Sequence, residues 1–305
     1  MFKHLASFIV IAAAVLPALA DDKPAEKIRV ILIDGQNNHN WRATTPLMKK
    51  ELESCGRFTV DVASNLSPQD QAKGPSPTAN VQFPPDLGKY DVLVSNYNGA
   101  PWPKEFQKDL EDRLREGKIG LVIVHAANNS FGSWTEYNRM IGMGWRSNDF
   151  GDRLTLDESG KEVRVPKGKG PGAGHGAYRP FLVTVRDGEH PITRGMPREW
   201  MHAGDELYHG MRGPIENVHL LATAYDDKSK DQHGTGEHEP MMWTVAYGKG
   251  RVFHTPMGHD ERSMRCLGFV ATLERGTEWA ATGRVTLPLP ENFPTADKTS
   301  SLPAK

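Results

Sequence analysis

The stretch that most constrains this chain runs from Gly117 to Phe131, GKIGLVIVHAANNSF. Within it Gly120–Val124, GLVIV, is apolar throughout and flanked by glycine. So short a run with no polar alternation reads as a strand buried on both faces of a parallel sheet. It stops at His125 and passes into Ala126, Ala127, Asn128, Asn129 and Ser130. In open α/β sheets ligands bind just beyond the carboxyl ends of the strands. A histidine at that edge, followed by side chains small enough to let a ligand approach, is either a functional group or a filler of the strand end.

The flanking segments repeat the strand–helix alternation. Strands are expected at Lys27–Ile33, Phe58–Val62 and Tyr90–Val94. Thr44 or Thr45 is expected to cap a helix with Pro46 at its first position. Pro103–Glu116 has Phe106, Leu110 and Leu114 on one helical face. Alternation of this kind means parallel βαβ units, hence an α/β fold with a mostly parallel sheet covered on both faces. Further on, Trp134–Ile141 reads as a helix, and Phe181–Val185 and Leu220–Ala224 as strands. Trp243–Tyr247 and Arg251–His254 read as a hairpin about Gly248-Lys249-Gly250, and Ser263–Glu274 as the last helix. Ser64–Pro85 reads as surface loop. Gly168–Gly176, GKGPGAGHG, is a mobile lid or a plain loop.

The ends are of a different character. Lys3 and His4 precede the apolar run Phe8–Leu16, and Ala18-Leu19-Ala20 gives a small-x-small cleavage pattern. Residues 1–20 therefore read as a secretory signal cut after Ala20, too short for a membrane anchor. The expected product is a periplasmic or secreted protein without a membrane partner. One domain is expected over residues 26–287, and the Pro-rich segment 288–305 reads as a disordered tail. The formal net charge of −1 gives no reason to expect nucleic acid. Cys55 and Cys266 permit a bridge or two buried thiols, and without a CxxC pair there is no thiolate zinc site.

The strand ends collect the chemistry. The first loop supplies Asn37, Asn38, His39 and Trp41; the third Asn96, Tyr97 and Asn98; the fourth His125, Asn128 and Asn129; the hairpin's last strand His254, Thr255, His259 and Asp260. Trp200–His209, WMHAGDELYH, could fold over the same edge with His202, Asp205, Glu206, Tyr208 and His209. Imidazoles and a carboxylate can hold a divalent ion such as zinc, with His39, His125 and His259 as candidate ligands. The same groups can exchange protons, with His125, Glu206 and Asp205 as candidates; partial desolvation of Glu206 should raise its pKa. Asn side chains match vicinal hydroxyls and indoles match a pyranose face, so Asn38, Trp41, Asn128, Asn129, Trp134 and Tyr208 are candidate sugar contacts, Trp134 and Trp145 serving equally well as core. Absences narrow the choice. No GxSxG or GxCxG elbow seats a nucleophile, and no GxGxxG follows the first strand to bind a dinucleotide.

In order along the chain, IDGQNNHNW, GLVIVHAANNSFGSWTEYNRMIGMGW, HPITRGMPREWMHAGDELYH, WTVAYGKGRVFHTPMGHDE and RGTEWAATG together resemble the ThuA-like (trehalose-utilisation) family. The resemblance implies a three-layer α/β/α sandwich of the class I glutamine-amidotransferase-like (flavodoxin-like) kind, with its nucleophile-elbow position near Val124–Ala126. That region holds His125 and no cysteine, so amidotransferase activity should be absent. The family connection implies sugar catabolism and oxidised, 3-keto glycosides. The expectation is an exported lyase or hydrolase acting on a glycoside or keto-sugar; the alternatives are a non-catalytic sugar-binding protein on the same fold and a subunit of a sugar-oxidising assembly. Self-association is left open.

Overall fold

The computed structural model describes residues 26–157 and 159–303; the segment read as a secretory signal lies outside the described residues. Strands β1 (Ile28–Asp34), β2 (Phe58–Ser64), β3 (Val92–Ser95) and β4 (Gly120–Val124) pair in parallel in the order β2-β1-β3-β4. Helices α1 (Trp41–Ser54), the short α2 (Pro68–Ala72) and α3 (Lys104–Glu116) connect them, and a 3₁₀ turn over His125–Asn129 leads from β4 to α4 (Thr135–Ile141). The chain then leaves the repeating pattern. β5 (Arg153–Leu156) and β6 (Glu162–Val165) form a side hairpin, and β7 (Gly174–His175) pairs with β10 (Tyr208–His209). β8 (Arg179–Val185), β9 (Glu199–Asp205), β11 (Val218–Tyr225), β12 (His238–Tyr247) and β13 (Gly250–Thr255) complete the main sheet. β13 lies parallel to β4, and β12, β11, β8 and β9 extend the sheet outward with antiparallel pairing. The expected sandwich is present, with a parallel half and an antiparallel extension. Helices α5 (Glu261–Met264) and α6 (Leu267–Thr282) follow.

Alternation along the strands builds two cores. Val30 and Leu32 of β1 and Val122 and Val124 of β4 pack with Met48 and Leu52 of α1 and Phe269 and Leu273 of α6. Ile31, Ile33, Leu121 and Ile123 face the other way, with Leu110 and Leu114 of α3 and Met140 of α4. Every residue of β4 is buried, as its unbroken apolar run requires. Each such side chain contributes roughly 1.5–3 kcal/mol by burial, so polar function is pushed to the strand's end. Helix α6 presses closely on the sheet: a Cβ at Gly276 would stand 2.1 Å from the Phe253 ring.

Several boundaries differ from expectation. Helix α1 begins at Trp41, and Pro46 sits inside it rather than at its first position. Thr44 and Thr45 do not cap it, because both hydroxyls accept from Asn96 Nδ2, at 3.1 and 3.0 Å. The last helix is split into α5 and α6 and reaches Thr282. The tail expected to be disordered is instead pinned through Pro303. Met201 N–H donates to Thr295 O, Leu267 N–H to Ser300 O and Leu302 N–H to Arg265 O, each at 2.8 Å. Leu287, Leu289 and Phe293 pack on the first core, which explains why a proline-rich segment is held. Cys55 and Cys266 are both free thiols.

Candidate metal centre

Parallel pairing of β1, β3, β4 and β13 brings their carboxyl ends to one edge. Three successive antiparallel steps beyond β12 return the carboxyl end of β9 to the same edge. His39 follows β1, His125 follows β4, His259 follows β13 and Glu206 follows β9. One donor atom from each lies within 4.8 Å of every other. Four residues far apart in the chain thus meet at one edge of the sheet.

Each ligand is aimed by a partner. His125 has φ 46°, a left-handed conformation unusual for a residue with a side chain. That sharp turn out of β4 directs its ring upward, and Nδ1–H donates to Pro256 O at 2.6 Å, leaving the Nε2 lone pair for the cluster. His39 Nδ1 lies 3.2 Å from Asn37 Oδ1, which again leaves Nε2 free. The two Nε2 atoms are 3.4 Å apart. Glu206 Oε2 stands 3.7 Å from Nε2 of each and 3.0 Å from His259 Nδ1. Ligand atoms about 2.1 Å from a tetrahedral ion are about 3.4 Å from each other, so this spacing and donor set fit zinc or a similar ion. The His259 Nδ1 contact also lacks hydrogen-bond alignment, as expected for donors facing a common point rather than each other. The outer-atom hydrogen bonds of His39 and His125 are the supports that fix tautomer and ring orientation in metal sites.

The electrostatics agree with ligation. Burial lowers the His125 pKa to about 4, so its ring is neutral near pH 7. Burial works to raise the Glu206 pKa, but contacts with His259 and His39 outweigh it and hold the carboxylate well below its ordinary range. This corrects the expected upward shift: the histidines overcome the desolvation that the sequence suggested. His259 is raised, first by its contact with Glu206. Glu206 is thus a fixed anion and His125 a fixed neutral donor.

Other candidate residues separate by role. Tyr208 is in the site, its hydroxyl 3.0 Å from His125 Nε2. Asp205 is fully buried and does not face the opening; its carboxylate accepts from the amides of Glu206 (2.7 Å), Gly258 (2.7 Å) and His259 (3.1 Å) and pairs with His202 Nε2 at 2.8 Å. That corrects its place among catalytic candidates: every lone pair is committed to holding the ligand loops. Trp134 belongs to the second core and donates to Glu111 Oε1, so it is no sugar platform. Trp41 is buried at the start of α1, with the Arg42 guanidinium 4.5 Å over its ring. Asn128 is fully buried, its Nδ2 3.2 Å from His254 Nε2 beneath the site. His254 bonds Ile141 O through Nδ1 and stays in the core. Asn38 is exposed and accepts from Asn98 Nδ2 at 2.7 Å, whereas Asn129 Oδ1 is buried without a partner.

Sequence reasoning missed His175. Its Nε2 is 3.5 Å from Glu206 Oε1, the oxygen turned away from the three histidines. The pairing of β7 with β10 sets His175 opposite Tyr208, and its ring stacks near the Tyr208 ring at 6.2 Å. Trp145 lies 5.8 Å from His175 and 4.6 Å from Tyr208. From the same glycine-rich connection, Tyr178 contacts the His259 ring at 5.6 Å and donates to Asp260 Oδ1. The segment read as a lid or plain loop forms the outer wall of the site. The one signal for this was a histidine ending the glycine run.

Residues 29–280 match a family model described as ThuA, trehalose utilisation. A ThuA-like protein from Parabacteroides merdae is 39% identical, with a TM-score of 0.80 over 91% of this chain and 98% of its own. A second ThuA-like protein, from Bacteroides uniformis, shares the fold at 16% identity and a TM-score of 0.56, over 88% of this chain and 98% of its own. No curated protein sequence matches.

Proposed function

This chain belongs to the ThuA family, and from that membership and the cluster's geometry we propose a metal-assisted enzyme that acts on a glycoside or keto-sugar as a lyase or hydrolase. The family's description ties it to sugar utilisation. The observation that carries the reading is the convergence of His39, His125 and His259 on Glu206, with two imidazole tautomers fixed from outside. Bound by these four, a divalent ion such as zinc would polarise a substrate carbonyl or hydroxyl.

The chain's own groups then divide the work. Glu206 stays anionic and His125 neutral, so neither is suited to gain and lose a proton near pH 7. His175, on the open side and 3.5 Å from Glu206 Oε1, is placed to take a proton from a substrate carbon beside a keto group. Burial raises the Tyr208 hydroxyl well above its ordinary value, so it stays protonated, 3.0 Å from His125 Nε2, as a hydrogen-bond donor at the edge of the site. The face of Trp145 offers the flat apolar surface that suits a pyranose. Elimination next to a ketone needs a base and an electrophile and no nucleophile, which agrees with the missing elbow.

The test is incubation of purified protein with a 3-keto-glucoside and with the parent glucoside, before and after chelation and zinc return. Turnover of the keto compound that disappears on chelation and returns with zinc supports the proposal. Turnover indifferent to chelation removes the metal from it; saturable binding with no product makes the chain a sugar-binding protein. Export belongs to the same proposal: protein recovered outside the cytoplasm should begin at Asp21.

A further inference from the structure

His175 and Asp231 stand at opposite ends of one peptide group. The carbonyl of the Gly176–Ala177 peptide meets His175, whose Nδ1 lies 2.8 Å from Gly176 O. A carbonyl only accepts, so Nδ1 carries the proton. That leaves Nε2, 3.5 Å from Glu206 Oε1, as the atom of the ring that can take one up. The N–H of the same peptide points the other way and donates to Asp231 Oδ2. Carboxylate, peptide and imidazole thus form a single hydrogen-bonded chain ending at the site.

Asp231 lies in the loop that joins β11 to β12, far along the sequence from β7. It is largely buried, and its other oxygen accepts the His233 amide at 2.9 Å. The Ala177 and His233 amides hold its carboxyl below the ordinary range, so it is an anion near pH 7. A residue that only closed its own turn would need no more than the His233 contact. The second oxygen instead reaches another segment, and that segment is shaped to receive it. A Cβ at Gly176 would stand 2.1 Å from Asp231 Oδ2, so the residue after His175 leaves room for the carboxylate by having no side chain. Hydrogen bonds in a chain polarise one another. An anion on the N–H makes the carbonyl of that peptide a better acceptor for His175 Nδ1–H. Carboxylates that fix the tautomer of a working imidazole commonly touch it directly; here a peptide stands between.

We propose that Asp231 is a positioning residue for His175: acting through the Gly176–Ala177 peptide, it fixes the imidazole with its proton on Nδ1 and Nε2 turned to the site. The consequence for turnover rests on the reading of His175 as the group that accepts the substrate's proton. Asp231 itself touches neither the four-donor cluster nor the open side of the site.

Nitrogen-15 NMR of the full-length protein labelled in histidine reads the tautomer without any substrate, at a pH where the imidazole is neutral. The His175 signals are those missing from His175→Ala. The parent should show the proton on Nδ1. Asp231→Ala removes the clamp, and Gly176→Ala keeps the aspartate but pushes it off the peptide. Both should populate the Nε2–H form, whereas Asp231→Asn, whose amide oxygen can still accept from Ala177, should stay nearer the parent. With a 3-keto-glucoside, the two disrupting variants should lose about 10–100-fold in kcat at unchanged KM and metal content, and Asp231→Asn should recover part of that. A parent with its proton on Nε2, a tautomer unchanged in both disrupting variants, or kcat unchanged in both would each overturn the proposal. A parent without turnover, its tautomers as expected, upholds the clamp and defeats the catalytic reading of His175 instead.

Discussion

Asp205 holds His259 by its backbone: the carboxylate Oδ1 accepts the His259 amide at 3.1 Å while the same side chain accepts the Glu206 amide at 2.7 Å. Two ligand-bearing loops from opposite halves of the sheet are thereby tied to one buried anion. Behind it, burial opposes a charged His202, but Cys266 and Asp205 beside it raise its pKa to about 9. Asp205→Asn would set an amide donor against backbone donors. The expected cost is about 3–5 kcal/mol of stability, with metal affinity falling about 10–100-fold. Denaturant midpoints and a competitive zinc titration measure the two effects separately. Metal affinity unchanged in this variant would show that the clamp does not govern the centre.

If the proposed centre holds a metal, its removal should loosen the whole protein. A ligand present at about 100 times its Kd stabilises the folded state by about 2.7 kcal/mol. Chelation is expected to lower Tm, and zinc to restore it. His39→Ala, His259→Ala and Glu206→Gln should each lower the metal content of purified protein, as elemental analysis would show. In these variants the chelator should have little left to remove.

His175→Ala should separate chemistry from ligation. The ring lies outside the four-donor cluster and on the solvent side of Glu206. Metal content is expected to stay as in the parent protein while kcat on a keto-glycoside falls about 10²–10⁴-fold, the usual range for a lost proton-transfer group. Loss of metal in this variant would recast His175 as a support for Glu206.

Glu274 gives a pH signature away from the centre. Burial raises its pKa from an ordinary 4.5 to about 7. Between those values the native state keeps a proton that the unfolded chain has released. Stability should therefore be fully present below about pH 4.5 and decline as pH rises toward 7, by at most on the order of 2–3 kcal/mol. Asp34, raised by burial to about 6, and Glu51 act in the same sense in this window, while His125, His190 and His254, lowered by burial, act in the opposite sense, so the Glu274 contribution is read as the difference between variant and parent at each pH. Denaturant unfolding of Glu274→Gln across pH 4–8 should show a flatter profile than the parent.

Much of this was legible in the sequence where local pattern and tertiary role coincide. GLVIV announced a doubly covered strand, and strand-end histidines announced the edge at which His39, His125 and His259 meet. What was hidden depended on contacts from afar. Thr44 and Thr45 look like caps until Asn96 claims their hydroxyls. Glu206 looks like a desolvated acid until three imidazoles surround it, and Asp205 looks reactive until its lone pairs are counted. His175 sits in a glycine run whose path only the β7–β10 pairing reveals.

The left-handed backbone at His125 has one more consequence. Such a conformation disfavours any side chain by about 1–2 kcal/mol and costs glycine nothing. His125→Gly should therefore be sturdier than His125→Ala, and both should lose the metal centre. At this position the chain keeps an imidazole in a posture that endurance alone would assign to glycine.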